Sequence, residues 1–174
     1  APYCGNIGIS PIEYLDSGVD YFVVEASSYQ LFYSNSFAPK IGIFCNLTPD
    51  HILWHKSLDN YFEAKAKMFR NMDENSFAIL NYDDPKTKQL GKEIKAKVYY
   101  FSLNKQDFEN CIYLDDGKII LDGEEIIKAT ELKIIGPHNI QNAMCAILAS
   151  KIAGMETEKI ANALREFNSI EHRL

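Results

Sequence analysis

The hydrophobic pattern changes character along the chain. Residues 20–25 (DYFVVE) hold a continuous apolar centre, which predicts a parallel strand covered on both faces rather than a half-exposed one. Residues 40–46 (KIGIFCN) have the same character. From 57 to 72 the apolar positions recur at helical spacing, with Ser57 placed to cap the helix. Residues 76–81 (SFAILN) predict a third strand, and Tyr82-Asp83-Asp84-Pro85 behind it is a turn suited to starting a short helix. Residues 95–101 (KAKVYYF) predict a fourth strand. The pattern then shortens. Residues 111–114 and 118–121 read as short strands joined by Asp115-Asp116-Gly117, a hairpin signal. Residues 126–127 and 132–135 are candidates for further short strands, and this middle region is expected to be antiparallel and more exposed. Gly136-Pro137 breaks the chain. Helices are expected over 138–153, ended by Gly154, and over 158–167.

This order predicts a three-layer α/β fold: a mostly parallel sheet flanked by helices, with a small antiparallel hairpin region. Residues 102–110 (SLNKQDFEN) read as a loop or short linker. A boundary there is arguable, but a single domain is the expectation. Composition fits. The chain has 174 residues, enough to bury about 70% of its unfolded surface without a disulfide or metal. It is 47% hydrophobic and 24% charged, which excludes a wholly disordered chain. Eighteen basic against 24 acidic residues give a net charge of -6, so nothing favours nucleic acid or an anionic bilayer as a partner. No run is long enough to span a membrane, and no secretion signal opens the chain. Cys4, Cys45, Cys111 and Cys145 form no CxxC pair and are expected to be buried thiols in a reducing compartment. The chain opens at Ala1-Pro2 without Met, as a processed or truncated chain would.

In open α/β sheets, ligands collect beyond the C-terminal ends of the strands. Glu25 ends the first predicted strand and is followed by Ser27 and Ser28. Asn46 ends the second, with Asp50 and His51 in the loop behind it. Asn81, Asp83 and Asp84 follow the third. A carboxylate and an imidazole on one rim can hold a divalent cation, and a thiol-poor set favours Mg²⁺ or Mn²⁺. Polar residues also end strands for structural reasons, and both readings stay open. Lys65 is more pointed. Leu58, Tyr61, Met68 and Met72 define an apolar helix face with Lys65 in its middle, whereas Lys67 lies off it. A lysine there either snorkels to water or has a buried partner. His138, Asn139 and Asn142 share the first turn of a predicted helix, where carboxamides can cap the helix or read the edge of a base. Gly5-Asn6-Ile7-Gly8 is either a flexible turn or a close backbone approach to a ligand. Arg173, near the chain end, can reach a phosphate. There is no G-x-x-x-x-G-K-[ST] loop and no G-x-G-x-x-G, so nothing here cradles a triphosphate alone.

Five stretches in order carry a resemblance: GNIG at 5–8, VVEASSYQL at 23–31, CNLTPDH at 45–51 with EAKAKMF at 63–69, GPHNIQNAMCA at 136–146, and EHR at 171–173. Together they resemble the central, ATP-binding domain of the Mur ligases. The SSYQL run resembles the D-glutamate-adding branch. The resemblance implies an amide-forming ligase of peptidoglycan precursor synthesis. ATP phosphorylates the carboxylate of UDP-N-acetylmuramoyl-L-alanine, and the amine of D-glutamate attacks the acyl phosphate. It implies two Mg²⁺ ions, with Glu25, His51 and a carbamylated Lys65 as the metal-holding, catalytic set. Asn6, Ser27 and Ser28 resemble substrate contacts; His138, Asn139, Asn142 and Arg173 resemble nucleotide contacts. It further implies a cytoplasmic, monomeric parent. The family's uridine-nucleotide domain and phosphate loop would precede Ala1, and its C-terminal domain would follow Leu174. The 174-residue chain is therefore expected to be inactive alone. Two readings stay beside this one: a Mur-type ligase adding another amino acid, and a non-catalytic nucleotide-binding α/β domain.

Overall fold

Parallel pairing of two very short strands starts the fold. The computed structural model describes residues 1–168, which build two compact units: Ala1–Phe37 with Pro49–Asn71, and Ala38–Thr48 with the chain from Met72 onward.

In the first unit, β1 (Tyr3–Gly5) pairs with β2 (Val23–Glu25), Tyr3 opposite Val23 and Gly5 opposite Glu25. Both strands therefore end at the same edge. Gly5 has φ +96°, and a Cβ there would sit 2.3 Å from the Glu25 carbonyl oxygen, so both conformation and space demand glycine. Helix α1 (Ser28–Tyr33) begins at a capping box. The Ser27 Oγ accepts from the Gln30 N–H, and the Gln30 side chain accepts from the Ser27 N–H at 2.8 Å. A single turn, α2 (Ile52–His55), follows the segment from the second unit. Helix α3 (Leu58–Ala66) is capped as expected by Ser57, whose Oγ accepts from Asn60 N–H at 3.0 Å. The predicted helix to residue 72 is shorter in the structure. It ends at Ala66 and tightens into a 3-10 turn over Lys67–Phe69, a common way for a last turn to close. Met72 belongs to the second unit.

In the second unit, β3 (Ile41–Phe44), β4 (Phe77–Asn81), β5 (Lys97–Ser102), β6 (Cys111–Asp115), β7 (Lys118–Leu121) and β8 (Glu124–Lys128) form one sheet in sequence order. The first three pairings are parallel and the last two antiparallel. Side chains alternate across the sheet, which explains its two covers. Ile79, Phe101, Ile112 and Leu121 pack with Ala143, Met144, Ile147 and Leu148 of α5 (Pro137–Ile152), and α6 (Thr157–Glu166) adds Ile160. On the other face, Leu80 and Tyr100 approach Gly91, just beyond α4 (Pro85–Leu90). The three-layer expectation holds for this unit.

Of two expectations about the middle region, one fails and one holds only in part. Residues 132–135 form no strand; the chain makes a 3-10 turn at Ala129–Glu131 instead. The hairpin region is more exposed only in part: Glu124, Glu125 and Lys128 of β8 are exposed, but Ile112, Ile119, Ile126 and Ile127 are core residues, because β6 pairs in parallel with β5 and extends the main sheet. Residues 103–110 are thus a mostly exposed connection between two parallel strands of one sheet. The Asp115–Gly117 turn is as read, with positive φ at Asp116 and Gly117, the twist that suits a hairpin.

Candidate functional site

Glu25 is the last residue of β2 and is exposed. Asn6 grips it twice. The Asn6 N–H donates to the Glu25 carbonyl at 2.8 Å, and Nδ2 donates to Oε1 at 3.4 Å. The carboxylate lines a cavity of ≈ 190 Å³ with Gly5, Val24 and Gln30. Ser27 and Ser28 are divided by their partners. Ser27 caps α1, while Ser28 is buried and its Oγ lies 2.9 Å from His55 Nε2.

His51 takes a left-handed conformation, φ 52°, where its N–H donates to Asp50 Oδ1 at 2.7 Å and its Nε2 lies 3.3 Å from Oδ2. Its ring stands 5.0 Å from Tyr29. Lys65 is half-buried on α3. Its Nζ lies 5.2 Å from the Tyr61 ring centroid, a favourable cation–π placement. Lys65 thus stands beside the buried Tyr61 ring, one turn away on the same helix.

Sequence reading missed the residue between these two groups. His55 is only 4% exposed. Its ring packs against Trp54 at 4.5 Å, Tyr61 at 5.2 Å and Tyr29 at 5.7 Å, so α1, α2 and α3 all meet on it. Burial depresses its pKa below the ordinary 6.5, and the nearby charges of His51 and Lys65 push it further down. His51, Lys65 and the neighbouring Asp50, whose charge helps raise the Tyr61 hydroxyl, therefore share one electrostatic neighbourhood. Glu25 lies on the segment that leads into the α1 turn holding Ser28 and Tyr29, and its cavity is lined by neither His51 nor Lys65. Among the described residues no three His, Cys, Asp or Glu side chains form a ready metal cage. His55 also borders a cavity of ≈ 460 Å³ with Phe32, Trp54, Lys67 and Arg70, on another face of α3 from Lys65.

The buried, neutral state of His55 has a consequence for acid stability. The unfolded chain takes up this proton near 6.5, whereas the folded chain resists it to lower pH. Stability is thus fully present above 6.5 and is lost as the pH falls through the depressed folded value. Trp54 is the single tryptophan and touches His55, so its fluorescence reports the change. In denaturant titrations from pH 8 to 5 the midpoint should fall, and His55→Gln should flatten that slope. An equal slope in the variant would refute the assignment.

In the second unit, Asn139 Nδ2 donates to the Ile135 carbonyl at 2.7 Å, and Asn142 Nδ2 approaches Asn139 Oδ1 at 3.4 Å. The two carboxamides are together in the first turns of α5, with His138 exposed beside them. The acidic residues behind β4 take the structural reading. Asp83 accepts from Ser102 Oγ at 2.7 Å and Leu103 N–H at 2.8 Å; Asp84 caps α4; Asn81 donates to the Cys45 carbonyl. Arg173 lies outside the described residues.

A family model described as Mur ligase middle domain matches residues 11–150. The chain is 42% identical to the UDP-N-acetylmuramoylalanine–D-glutamate ligase of Alkaliphilus metalliredigens, covering 98% of this chain and 38% of that protein. It is 40% identical to the ligase of the same name from Caldanaerobacter subterraneus, with the same coverage. The chain thus spans about 38% of the length of these curated relatives. Among solved structures, a UDP-N-acetylmuramoyl-L-alanyl-D-glutamate–2,6-diaminopimelate ligase superposes with a TM-score of 0.74 at 21% identity, over 92% of this chain and 35% of that one. The MurF ligase of Thermotoga maritima, solved with ADP, gives 0.61 at 13% identity over 87% and 38%. At these identities the structures show a shared fold.

Proposed function

The chain belongs to the Mur ligase family, whose middle domain it carries, and we propose that its full-length protein is the ATP-dependent ligase joining D-glutamate to UDP-N-acetylmuramoyl-L-alanine. One observation carries the reading: about 40% identity, over 98% of the chain, to curated ligases named for that reaction. The neighbourhood of His51 and Lys65 supports it, since phosphoryl transfer needs charge handled at a fixed place.

Mg²⁺ fits the residues present. It commonly takes one or two carboxylates and leaves further positions to phosphates and water, and Glu25 is an exposed carboxylate oriented by Asn6. In this proposal two ions are held, one by Glu25 and the second by His51 with Lys65 as its carbamate. Bound there, Mg²⁺ would neutralise charge on the transferring phosphoryl group. Asn6 keeps the Glu25 carboxylate in place, Asp50 orients the His51 ring, and the Tyr61 ring stands beside the Lys65 Nζ. Asn139 and Asn142 offer donors and acceptors to the nucleotide, with His138 and Arg173 beside them. Asn6 and Ser27 contact the muramoyl substrate. Ser28 serves them indirectly, because its hydroxyl is turned inward to His55. The full-length protein acts in the cytoplasm as a monomer, with a uridine-nucleotide domain and phosphate loop before this segment and a C-terminal domain after it. The isolated chain turns over no ATP, because its sequence lacks a phosphate loop.

The assay is phosphate release by the full-length protein with ATP and UDP-N-acetylmuramoyl-L-alanine, with single amino acids added in turn. Release should depend on D-glutamate. Release with a different amino acid would assign another member of the family, and binding without turnover would leave only a nucleotide-binding module.

A further inference from the structure

Two cysteines face each other across the core of the second unit. Cys45 leaves the end of β3 and Cys145 sits in the middle of α5, with Sγ···Sγ 3.9 Å and 100 positions of sequence between them. Cys145 is 4% exposed and Cys45 is half-buried, packed against the same core. The other two thiols are occupied elsewhere. Cys4 is fully buried and approaches the Val23 carbonyl, and Cys111 approaches the Ile112 carbonyl. Burial also pushes the Cys111 thiol up to about 12, which keeps it unreactive.

We propose that Cys45 and Cys145 form an oxidative modification site, a vicinal dithiol that hydrogen peroxide converts to an intramolecular disulfide. The geometry favours this pair over any other. A disulfide bond is about 2.05 Å long, so each sulfur need move only about 1 Å, within reach of side-chain rotation. The more accessible Cys45 reacts first. Its thiolate attacks one peroxide oxygen, the O–O bond breaks, hydroxide leaves, and Cys45 becomes a sulfenic acid. The Cys145 sulfur then attacks the Cys45 sulfur. The S–S bond forms, the S–O bond breaks, and water leaves with the Cys145 proton. In sum, two thiols and one peroxide give one disulfide and two waters. The hydrogen bond with Cys45 and burial hold the Cys145 thiol well above the usual cysteine range, so it is not the sulfur that initiates. The product ties the strand that leads on to His51 to the helix that carries Asn139 and Asn142. The proposal does not depend on the ligase reading.

The test uses the full-length protein treated with hydrogen peroxide, digested without reduction and mapped by mass spectrometry. A Cys45–Cys145 linked peptide that dithiothreitol cleaves is the expected result. In Cys145→Ser, dimedone should trap the sulfenic acid on Cys45; in Cys45→Ser, Cys145 should stay a thiol. Over-oxidation of Cys45 without linkage, or linkage that instead involves Cys4 or Cys111, would overturn the proposal.

Discussion

Replacing Lys65 by methionine is expected to lower turnover of the full-length protein by about 10²–10³-fold, the usual cost of removing one group that stabilises transition-state charge. The fold should survive, because methionine keeps an unbranched apolar stem at a position that is only partly buried. Two companions give the result its meaning. Lys65→Arg keeps the positive charge but cannot become a carbamate, so it should be as impaired as Lys65→Met. Lys65→Glu restores a carboxylate near that position and should retain more activity than either. The prediction fails if arginine supports normal turnover, since a plain cation would then suffice. His55 supplies a readout independent of activity. Part of its pKa depression comes from Lys65 as the free ammonium, so in protein whose Lys65 is not carbamylated the His55 titration observed by NMR should move up in Lys65→Met. If it does not move, Lys65 does not sit in the neighbourhood described here.

Lys65 also marks how far the sequence alone could lead. Its partial burial fits the apolar stripe, but Lys67, read as lying off that stripe, is partly buried too. The strands at 41–44, 77–81 and 97–102 were legible because each is a dense run of β-branched and aromatic residues. β1 was not. Tyr3-Cys4-Gly5 has no pattern of its own and is a strand only because Val23–Glu25 lies beside it. The strand read at 132–135 failed because apolar residues can join a core from a loop, as Leu132 does. His55 was invisible for a deeper reason. A lone histidine next to a tryptophan carries no signal, and its burial comes from rings on three separate helices. Asp83 and Asp84 are a case where two readings stood open and the structural one holds. Their place behind a strand allowed a ligand role, while the Asp84-Pro85 pair was also a helix-start signal, and Asp84 caps α4.

Phe101→Ala should produce the largest loss of stability, about 3–5 kcal/mol, as expected for emptying a fully buried aromatic site. Phe101 is 0% exposed and lies on β5, whose neighbours β4 and β6 both pair with it in parallel. It touches the core built with Met144 and Ile147 of α5, the helix that begins with His138, Asn139 and Asn142. A cavity there loosens the seat of the proposed nucleotide contacts as well as the sheet. The loss is a large share of the 5–15 kcal/mol that typically holds a domain together. Denaturant unfolding followed by far-ultraviolet circular dichroism measures it, with Phe167→Ala as the control, since Phe167 is exposed and should cost under about 0.5 kcal/mol. Equal costs for the two variants would mean that α5 does not rest on β5. The placement of Asn139 and Asn142 would then lose its structural basis.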